Sequence, residues 1–350
     1  IEEQAEAVRL LAGASGVESA EMLVQLDHLV DRIAAHPDAQ GSFVNASGAD
    51  ALQWLRDVDE LAKELDDFLR LHGHRGYREL CVRDPAWMDD VDSLVQSMQV
   101  SARARLGTGK IKVATHKSVD TATLSRGLRW VLPRAHRAIR RREHTKSHLV
   151  KAAHQFKVAF QQLGDLLARE GVLPDADLIY FYHFNELQAL VERSDEVGVG
   201  LARRRRNALK YQQRFNFPEI SVGIPRPLQA DTAAPEDGVI EGRPASTGVV
   251  EGRARVAHTL AEAAQLEAGE ILVTPITDIG WTPYFSMIGG LVTDLGSSVS
   301  HGAVIAREYG LPCIVNTLHG TRFISSGDLI RLDGDTGRVS ILQAADGSAT

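Results

Sequence analysis

The sequence has 350 residues, 44% of them hydrophobic and 24% charged, and a formal net charge of −7. These values are typical of a globular protein with room for two domains. A run of about 18 apolar residues, which a membrane-spanning helix needs, is not present, and Cys81 and Cys313 are too few and too far apart for a disulfide scaffold, which favours a reduced, cytoplasmic compartment.

Helical periodicity dominates the first part of the chain. Between residues 50 and 73 apolar side chains recur mainly three and four positions apart, and this predicts a helix with Asp50 as N-cap and Gly73 as C-cap. The apolar run DLIYFY at 177–182 could form a short strand. Further helices are predicted over 147–171, 183–194 and 199–213. Residues 1–216 are therefore predicted to form a mostly helical domain.

The chain changes character near residue 217. Residues 217–238 hold four prolines among small and polar residues, a composition that cannot continue a helix and is typical of a linker. From Glu236 onward there are 14 acidic and 7 basic residues and no lysine, so the whole net negative charge belongs to the last third of the chain. We expect a separate C-terminal domain after this linker.

The C-terminal segment alternates short β-branched runs with helical patterns. Strands are predicted over 248–256, 270–275, 290–295, 312–317 and 328–342, the last with turn signals at Asp333-Gly334 and Thr336-Gly337. Helical patterns occupy 259–267, 282–288 and 302–310. Residues 239–345 are therefore predicted to form one α/β domain, and the fold class is multi-domain α and α/β.

One histidine follows a glycine- and serine-rich turn that leads into a helix, in SSVSHGAVIAREYG. His301 is predicted at the helix N-terminus, where unpaired backbone N–H groups and the positive dipole end favour an anion. The hydroxyls of Thr293, Ser298 and Ser300 could add to such a site, and an imidazole can accept and donate a phosphoryl group. A packed or capping histidine is the alternative interpretation.

This segment resembles the phosphohistidine swivelling domain of the phosphoenolpyruvate (PEP)-utilising enzymes. The resemblance covers about 239–343, including GRPASTGVVEGRARV, ILVTPITDIGWTPYF and GDLIRLDGDTGRVSIL. One departure is Ser297, which stands where a second glycine is usual. The matching residues around the histidine are Thr293, Gly296, Ser300, His301, Ala303, Ala306, Arg307, Glu308, Gly310 and Pro312.

The resemblance implies a β/β/α carrier domain in which His301 is the phosphorylated residue and Thr293 its hydrogen-bond partner. Ser298, Ser300, Gly302 and Arg307 are the residues expected to stabilise the phosphate, although a structural role for Arg307 is equally open. In this family an ATP-grasp domain loads the histidine from ATP, with Mg, and the carrier passes the phosphate to an acceptor, releasing AMP and Pi. The linker would be the tether of the moving domain.

The order of a helical domain followed by the histidine domain resembles the rifampin phosphotransferase branch of this family. Residues 72–87 and 166–187 are similar to stretches of its helical, acceptor-binding domain. We find no glycine-rich phosphate loop before residue 70, so an ATP-grasp partner, in the same protein or separate, is expected outside this chain, and the chain alone is expected to be inactive. A PEP synthase-like enzyme acting on pyruvate and a catalytically lapsed binding module are the alternatives.

The segment HGHRG contains the other candidate site residues. His72, His74 and Arg75 could contact a phosphorylated small-molecule acceptor, act as acid or base, or form a structural turn. Two histidines two positions apart also suggest a metal, but no acidic or cysteine partner accompanies them, so no metal site is predicted. The aromatic cluster at 180–184 could line an acceptor pocket or belong to a core.

Two arginine clusters lie in the first domain, at 140–142 and 203–206. Basic clusters can bind nucleic acid, but here no aromatic residues are interleaved with them and the first 235 residues hold 32 acidic and 32 basic side chains. We therefore predict a solvated helix face or a contact with the acidic domain, and no nucleic-acid partner.

Overall fold

The structure is a computed structural model that describes residues 18–108, 125–192, 196–212, 215, 217, 221–227, 238–298 and 300–345. The chain divides into two compact units, one of Ile1–Arg78, Ala86–His148 and Ala233–Thr350, the other of Glu79–Pro85 and Leu149–Thr232. The predicted linker at 217–238 lies mostly outside the described residues, so the boundaries 1–216 and 239–345 stay predictions. Within the described ranges, no helix is long and apolar enough to cross a membrane.

The first unit begins with packed helices. They are α1 (Glu18–Ala35), a π-helical turn (Ala39–Val44), α2 (Gly48–Asp57), α3 (Asp59–His72), α4 (Val91–Thr108) and the start of α5 (Arg126–Arg169). The predicted helix over 50–73 is two helices, separated at Val58, where the backbone is extended. Ser47, not Asp50, is the N-cap, because its side chain accepts a hydrogen bond from the Asp50 N–H. Gly73 is the C-cap, as predicted.

The second unit contains the rest of α5, a 3₁₀ helix (Ala176–Phe181), α6 (Phe184–Glu192) and α7 (Glu196–Gln212). The strand suggested for 177–182 is wrong, since this run is the 3₁₀ helix. Its buried side chains are the consecutive Leu178 and Ile179, which pack on Leu167 and Leu173. Consecutive burial is incompatible with the alternation of a half-buried strand. The chain reverses at Gly171, whose φ of 73° suits glycine.

The C-terminal part of the first unit is a mixed sheet. Its eight described strands are β1 (Val239–Glu241), β2 (Arg243–Ser246), β3 (Val249–Val256), β4 (Ile271–Thr274), β5 (Gly290–Thr293), β6 (Cys313–Val315), β7 (Leu329–Asp333) and β8 (Arg338–Gln343). The spatial order is β1-β8-β7-β3-β4-β5-β6-β2. Strands β3 to β6 are parallel neighbours, and the outer pairs are antiparallel. The expected division into a helical N-terminal region and an α/β C-terminal region is thereby confirmed.

The predicted strands fall where the structure has them, and two strands, β1 and β2, are additional. Short helices α8 (Leu260–Ala263), α9 (His301–Tyr309) and α10 (Gly320–Phe323) and a 3₁₀ helix (Ile279–Tyr284) connect the strands. The predicted helical patterns at 259–267 and 302–310 correspond to α8 and α9, whereas the one at 282–288 is the end of the 3₁₀ helix and the turn after it.

Both faces of the central strands are buried, which explains why β4 and β5 have continuous apolar sequences. On one face Leu272 and Leu291 join a cluster that also contains α9 and the helices α1, α3 and α4. On the other face Ile271 and Val292 pack on β7 and β8. The helical region and the helix-bearing face of the sheet therefore share one hydrophobic core, which fixes the surroundings of α9.

Candidate functional site

The structure places His301 at the first position of α9, at the carboxyl end of the parallel strands. Strand β5 is buried and ends at Thr293, the chain turns through Gly296, and Ser300 precedes the helix with extended backbone. The helix ends at Gly310, whose φ of 65° closes it in a left-handed cap. The expected strand, turn and helix around the histidine are confirmed, and the amides of the first turn of an α-helix have no carbonyl acceptor within the helix itself.

His301 is half-buried, and its Nε2 lies 3.2 Å from the Oγ1 of Thr282. Thr282 is 1% exposed and belongs to the 3₁₀ helix that precedes β5. The hydroxyl can donate to or accept from Nε2, depending on the tautomer of the ring. In the unloaded chain it is Thr282 that contacts Nε2, and a contact between Thr293 and the phosphorylated histidine stays a prediction.

Thr293 instead offers an unused hydroxyl next to the turn. Its Oγ1 is buried and has no hydrogen-bond partner among the described residues. A Cβ at Gly296 would lie 3.4 Å from that oxygen and 3.2 Å from the Oγ of Ser300. Glycine at 296, with φ of 149°, therefore leaves a small space between two hydroxyls. Buried polar atoms rarely remain unpaired, and each such atom calls for an explanation such as an absent ligand.

The other predicted phosphate-stabilising residues have different surroundings. A Cβ at Gly302 would lie 2.0 Å from Thr277 Oγ1, so glycine is required there for close packing of the helix start. Ser298 is half-buried in the turn. Arg307 donates from Nη1 to the carbonyl of Ala245 at 2.9 Å, and it lies six residues along the helix from His301, about 240° around the axis. The contact of Arg307 is structural, and phosphate contacts by these three residues stay predictions.

Burial shifts the pKa values of groups in the second half of α9 and at the start of β6. It lowers the pKa of the Arg307 guanidinium and raises the pKa of the neighbouring Glu308 carboxyl. It also raises the pKa of the Cys313 thiol to about 12, so this cysteine stays protonated near neutral pH. A protonated thiol is a poor nucleophile, and His301 is therefore the nucleophilic candidate of this region.

Both histidines of HGHRG are buried in the helical region, which consists of α1 to α4 and the loops between them. His72 pairs through Nε2 with Gln25 Oε1 at 3.1 Å, and His72, His74 and Arg75 are each less than a tenth exposed. The loop is pinned by backbone hydrogen bonds from Trp87 to Arg75 and from Met88 to Gly73. Their burial favours the structural interpretation, and an acceptor-contacting role stays a prediction.

The residues just after HGHRG approach the histidine segment. The Arg78 N–H donates to Asp278 Oδ2 at 2.8 Å, and a Cβ at Gly280 would lie about 3.0 Å from the backbone of Tyr77. Asp278 and Gly280 begin the 3₁₀ helix that carries Thr282. The structure thus joins the loop to the segment that holds His301, through Tyr77 and Arg78. Thr282 lies within ILVTPITDIGWTPYF, one of the segments that carry the family resemblance, but nothing in the sequence singles out this residue.

A carboxylate stabilises the turn beside Thr293. Asp294 is 4% exposed and accepts from the Thr321 N–H at 2.9 Å, from Thr317 Oγ1 at 3.3 Å and from the Thr321 hydroxyl. These donors tie the start of α10 to the end of β5. In the part of the chain that the structure describes, no group of three histidine, cysteine or acidic side chains could hold a metal ion.

Two family models match the chain. The model described as "Rifampicin phosphotransferase fourth domain" matches residues 1–143, and the model described as "PEP-utilising enzyme, mobile domain" matches residues 266–337. The second match contains Thr282, Thr293, Gly296 and His301, so it covers the whole cluster of hydroxyls around the histidine.

Curated relatives match between 57% and 97% of the chain. A rifampicin phosphotransferase of Streptomyces sviceus is 31% identical over 355 residues, which cover 95% of this chain and 41% of that protein. The prodigiosin synthesizing transferase PigC of Serratia marcescens is 30% identical over 97% of this chain and 41% of its own length. A rifampicin phosphotransferase of Bacillus cereus is 38% identical over 57% of this chain and 23% of its own length. The chain thus spans 41% of the length of the first two relatives.

Proposed function

Because the chain belongs to the PEP-utilising enzymes and is similar to rifampicin phosphotransferases, we propose that it is the acceptor-binding and phosphohistidine-carrying portion of an ATP-dependent phosphotransferase. Residues 239–345 would be the β/β/α swivelling carrier, and the helical residues would bind a small-molecule acceptor. The overall reaction converts ATP, acceptor and water into AMP, Pi and phosphorylated acceptor. ATP and Mg would be bound by an ATP-grasp domain outside residues 1–350.

One observation carries this proposal, the unused hydroxyl of Thr293 in the space that Gly296 leaves beside the start of α9. A phosphoryl group is an oxyanion that accepts several hydrogen bonds, and the hydroxyls of Thr293 and Ser300 together with the first amides of α9 are donors of that kind. Each helix-terminal contribution is about 0.3–1 kcal/mol, so a site needs several donors to hold an anion.

In the proposed transfers His301 acts as nucleophile and then as leaving group. An imidazole nitrogen forms a bond to phosphorus while the bond from phosphorus to the departing group breaks, and the acceptor oxygen later displaces the imidazole. The protein contributes positioning and stabilisation of the phosphoryl oxygens more than covalent help. Before loading, Thr282 contacts the ring at Nε2, and Thr293 and Ser300 lie beside the turn where the phosphoryl oxygens would be bound.

The acceptor belongs to the proposal only as a class, a hydroxyl or an enolate. The relatives are a rifampicin phosphotransferase and a prodigiosin synthesizing transferase, and their names indicate different compounds. A catalytically lapsed module is the second candidate, and Ser297 favours it because it replaces the usual second glycine of the turn.

Direct phosphorylation of the chain tests the proposal without an ATP-grasp domain. Phosphoramidate transfers its phosphoryl group to an imidazole nitrogen and releases ammonia, so it replaces the unknown loading partner. We expect acid-labile label on His301 at least ten times faster than on the exposed His258, detected by phosphorus NMR and by peptide mapping. The matched variants are His301→Asn, which should lose the fast label, and His258→Asn, which should keep it. Equal rates at the two histidines would favour the lapsed module.

A further inference from the structure

Helix α9 joins the proposed phosphohistidine to a buried tyrosine at its other end. Tyr309, the last residue of the helix, is 6% exposed, and its hydroxyl donates to Asp27 Oδ2 at 2.6 Å. Asp27 belongs to α1, in the helical region. The two residues are 282 positions apart, so this hydrogen bond connects the sheet region to the helical region within the first unit.

Asp27 is held in place as an acceptor. Arg105 of α4 donates from Nη2 to Asp27 Oδ1 at 2.7 Å, and its Nε lies 2.7 Å from Asp31 Oδ1. The Arg105 side chain is 12% exposed, and hydrogen bonds between ionised groups in such surroundings are stronger and more directional than neutral ones. Burial, and then the Asp27 charge, raise the pKa of Tyr309 well above its ordinary value, so the phenol remains a donor.

Two further hydrogen bonds also connect the helical region to the sheet region, and they lie near the His301 end of α9. The Ser101 hydroxyl donates to the carbonyl of Pro283 at 2.6 Å, and the Arg78 N–H donates to Asp278. Both acceptors lie in or next to the 3₁₀ helix that holds Thr282 against His301. Apolar side chains such as Phe285 and Ala306 also pack in the core that the two regions share. Apolar burial is not directional, so orientation depends on the hydrogen bonds.

We propose that Tyr309 is a positioning residue, whose hydrogen bond to the Asp27–Arg105 pair fixes the orientation of α9 and thereby directs His301 toward the acceptor side of the helical region. The nine residues of α9 make a lever of about 12 Å. A tilt of about 10° at the Tyr309 end would move His301 by about 2 Å, and misplacement by about 1 Å can reduce transfer about 100-fold. The effect on phosphoryl transfer rests on the proposed function, whereas the hydrogen bonds of Tyr309, Asp27 and Arg105 do not depend on it.

Hydrogen exchange on the unphosphorylated chain tests this role. In Tyr309→Phe the ring and its packing remain and only the hydroxyl is lost. We expect the amide of Arg78, which donates across the surface to Asp278, to exchange at least five times faster, while the Leu291 amide, which donates to Pro312 within the sheet, changes less than twofold. A general loss of stability would raise both rates together.

Tyr284→Phe is the matched control. Tyr284 is also a buried tyrosine, 3% exposed, but its hydroxyl donates to the Leu260 carbonyl within the sheet region. We expect this variant to leave Arg78 exchange within twofold of the native rate. Equal effects of the two variants on Arg78, or no effect of Tyr309→Phe, would overturn the positioning role.

A double-mutant cycle completes the test. If Tyr309 acts through Asp27, then Asp27→Ala should raise Arg78 exchange, and adding Tyr309→Phe to it should raise the rate less than twofold further. Additive effects would show that the two residues act separately and would overturn the proposal. Because no phosphoryl group is present, a failure here leaves the phosphoramidate result untouched, and a failure to label His301 leaves this result untouched.

Discussion

The Oγ1 of Thr282 lies 3.2 Å from the Nε2 of His301, and it joins the proposed phosphohistidine to a segment that precedes it in the chain by 19 residues. Thr282 is almost completely buried, so its hydroxyl has few other orientations available. The ring is therefore held from outside its own helix. Any phosphoryl group that arrives on Nε2 must displace this hydroxyl, which makes the contact a property of the unloaded histidine.

Replacing Thr282 tests whether this contact orients the ring. In Thr282→Val the side-chain shape is nearly kept and the hydroxyl is lost, so we expect the nitrogen-15 resonance of His301 Nε2 to shift and the two ring tautomers to change in population. Thr282→Ser retains a hydroxyl and should retain the native resonance. The signal of His258 is the internal reference, since that histidine is exposed and remote in sequence. An unchanged Nε2 signal in Thr282→Val would mean that the ring is held by other groups.

The unpaired hydroxyl of Thr293 predicts opposite effects on stability and on loading. In Thr293→Val a buried polar atom without a partner is replaced by a methyl group, and we expect the free energy of unfolding to rise by about 1 kcal/mol. Loading of His301 by phosphoramidate should fall about tenfold, because a donor to the phosphoryl oxygens is lost. The two quantities are measured by urea unfolding and by phosphorus NMR.

Thr274→Val is the control for this prediction. Thr274 pairs with Thr293 on the neighbouring strand, and its Oγ1 is also buried without a hydrogen-bond partner among the described residues. We expect a similar gain in stability and no change in loading. Slower loading in both variants would indicate a general effect of the strand ends rather than a contact of Thr293 with phosphate.

The strands around the site follow from the sequence for a physical reason. Buried parallel strands have continuous apolar sequences bounded by glycine and polar residues, and β4 and β5 lie within the predicted runs 270–275 and 290–295. Edge strands have no such pattern, so β2, with the sequence RPAS, is missed. The N-cap of α2 is misassigned because Ser47 and Asp50 are both good capping residues three positions apart, and only the hydrogen bond between them decides.

The site is predicted in part. His301 at a helix start follows from local sequence, since turn and helix signals adjoin it. Thr282 does not, because its contact depends on how the 3₁₀ helix packs on α9. The burial of His72 and His74 also cannot be predicted from their polar sequence. It depends on long-range contacts, namely the hydrogen bond between His72 and Gln25 and the backbone hydrogen bonds from Trp87 and Met88 to this loop. Long-range packing, not local propensity, decides these cases.

Gly296 offers a test of the space beside Thr293. An added Cβ would lie 3.2 Å from the Ser300 hydroxyl, and the φ of 149° is strained for any residue with a side chain. In Gly296→Ala we expect a loss of about 1–3 kcal/mol in the free energy of unfolding and loading of His301 at least ten times slower than native. Phosphorus NMR and urea unfolding measure the two effects.

The control for Gly296→Ala is Gly310→Ala. Gly310 also has positive φ, but it ends the helix and lies nine positions after His301. We expect about 1–2 kcal/mol of destabilisation from the left-handed cap and native loading. If Gly310→Ala slows loading as much as Gly296→Ala does, the effect comes from strain in α9 and not from the space beside Thr293.

The second unit contains a carboxylate whose titration predicts a dependence on pH. Hydrogen bonds from Arg205, at 2.6 and 2.9 Å, and from the His183 N–H lower the pKa of Glu186 from 4.5 to about 2. A carboxyl with a lowered pKa in the folded state contributes stability above its unfolded pKa and loses it as the carboxylate is protonated. The contribution should therefore be complete above about pH 4.5 and be lost progressively as the pH falls toward 2.

Urea unfolding between pH 6 and pH 2.5 measures this loss, in steps of about half a unit so that its slope is resolved. In Glu186→Gln the side chain cannot ionise, so we expect lower stability than native at pH 6 and a shallower decline below pH 4.5, with the two curves converging at the acidic end. Glu192→Gln is the control on the same helix, because that carboxylate accepts from Gln188 rather than from Arg205. Parallel curves of unfolding free energy against pH for the native protein and Glu186→Gln would contradict this prediction. The native protein would then show no extra loss of stability on protonation of Glu186, and Arg205 and the His183 N–H would not lower its pKa.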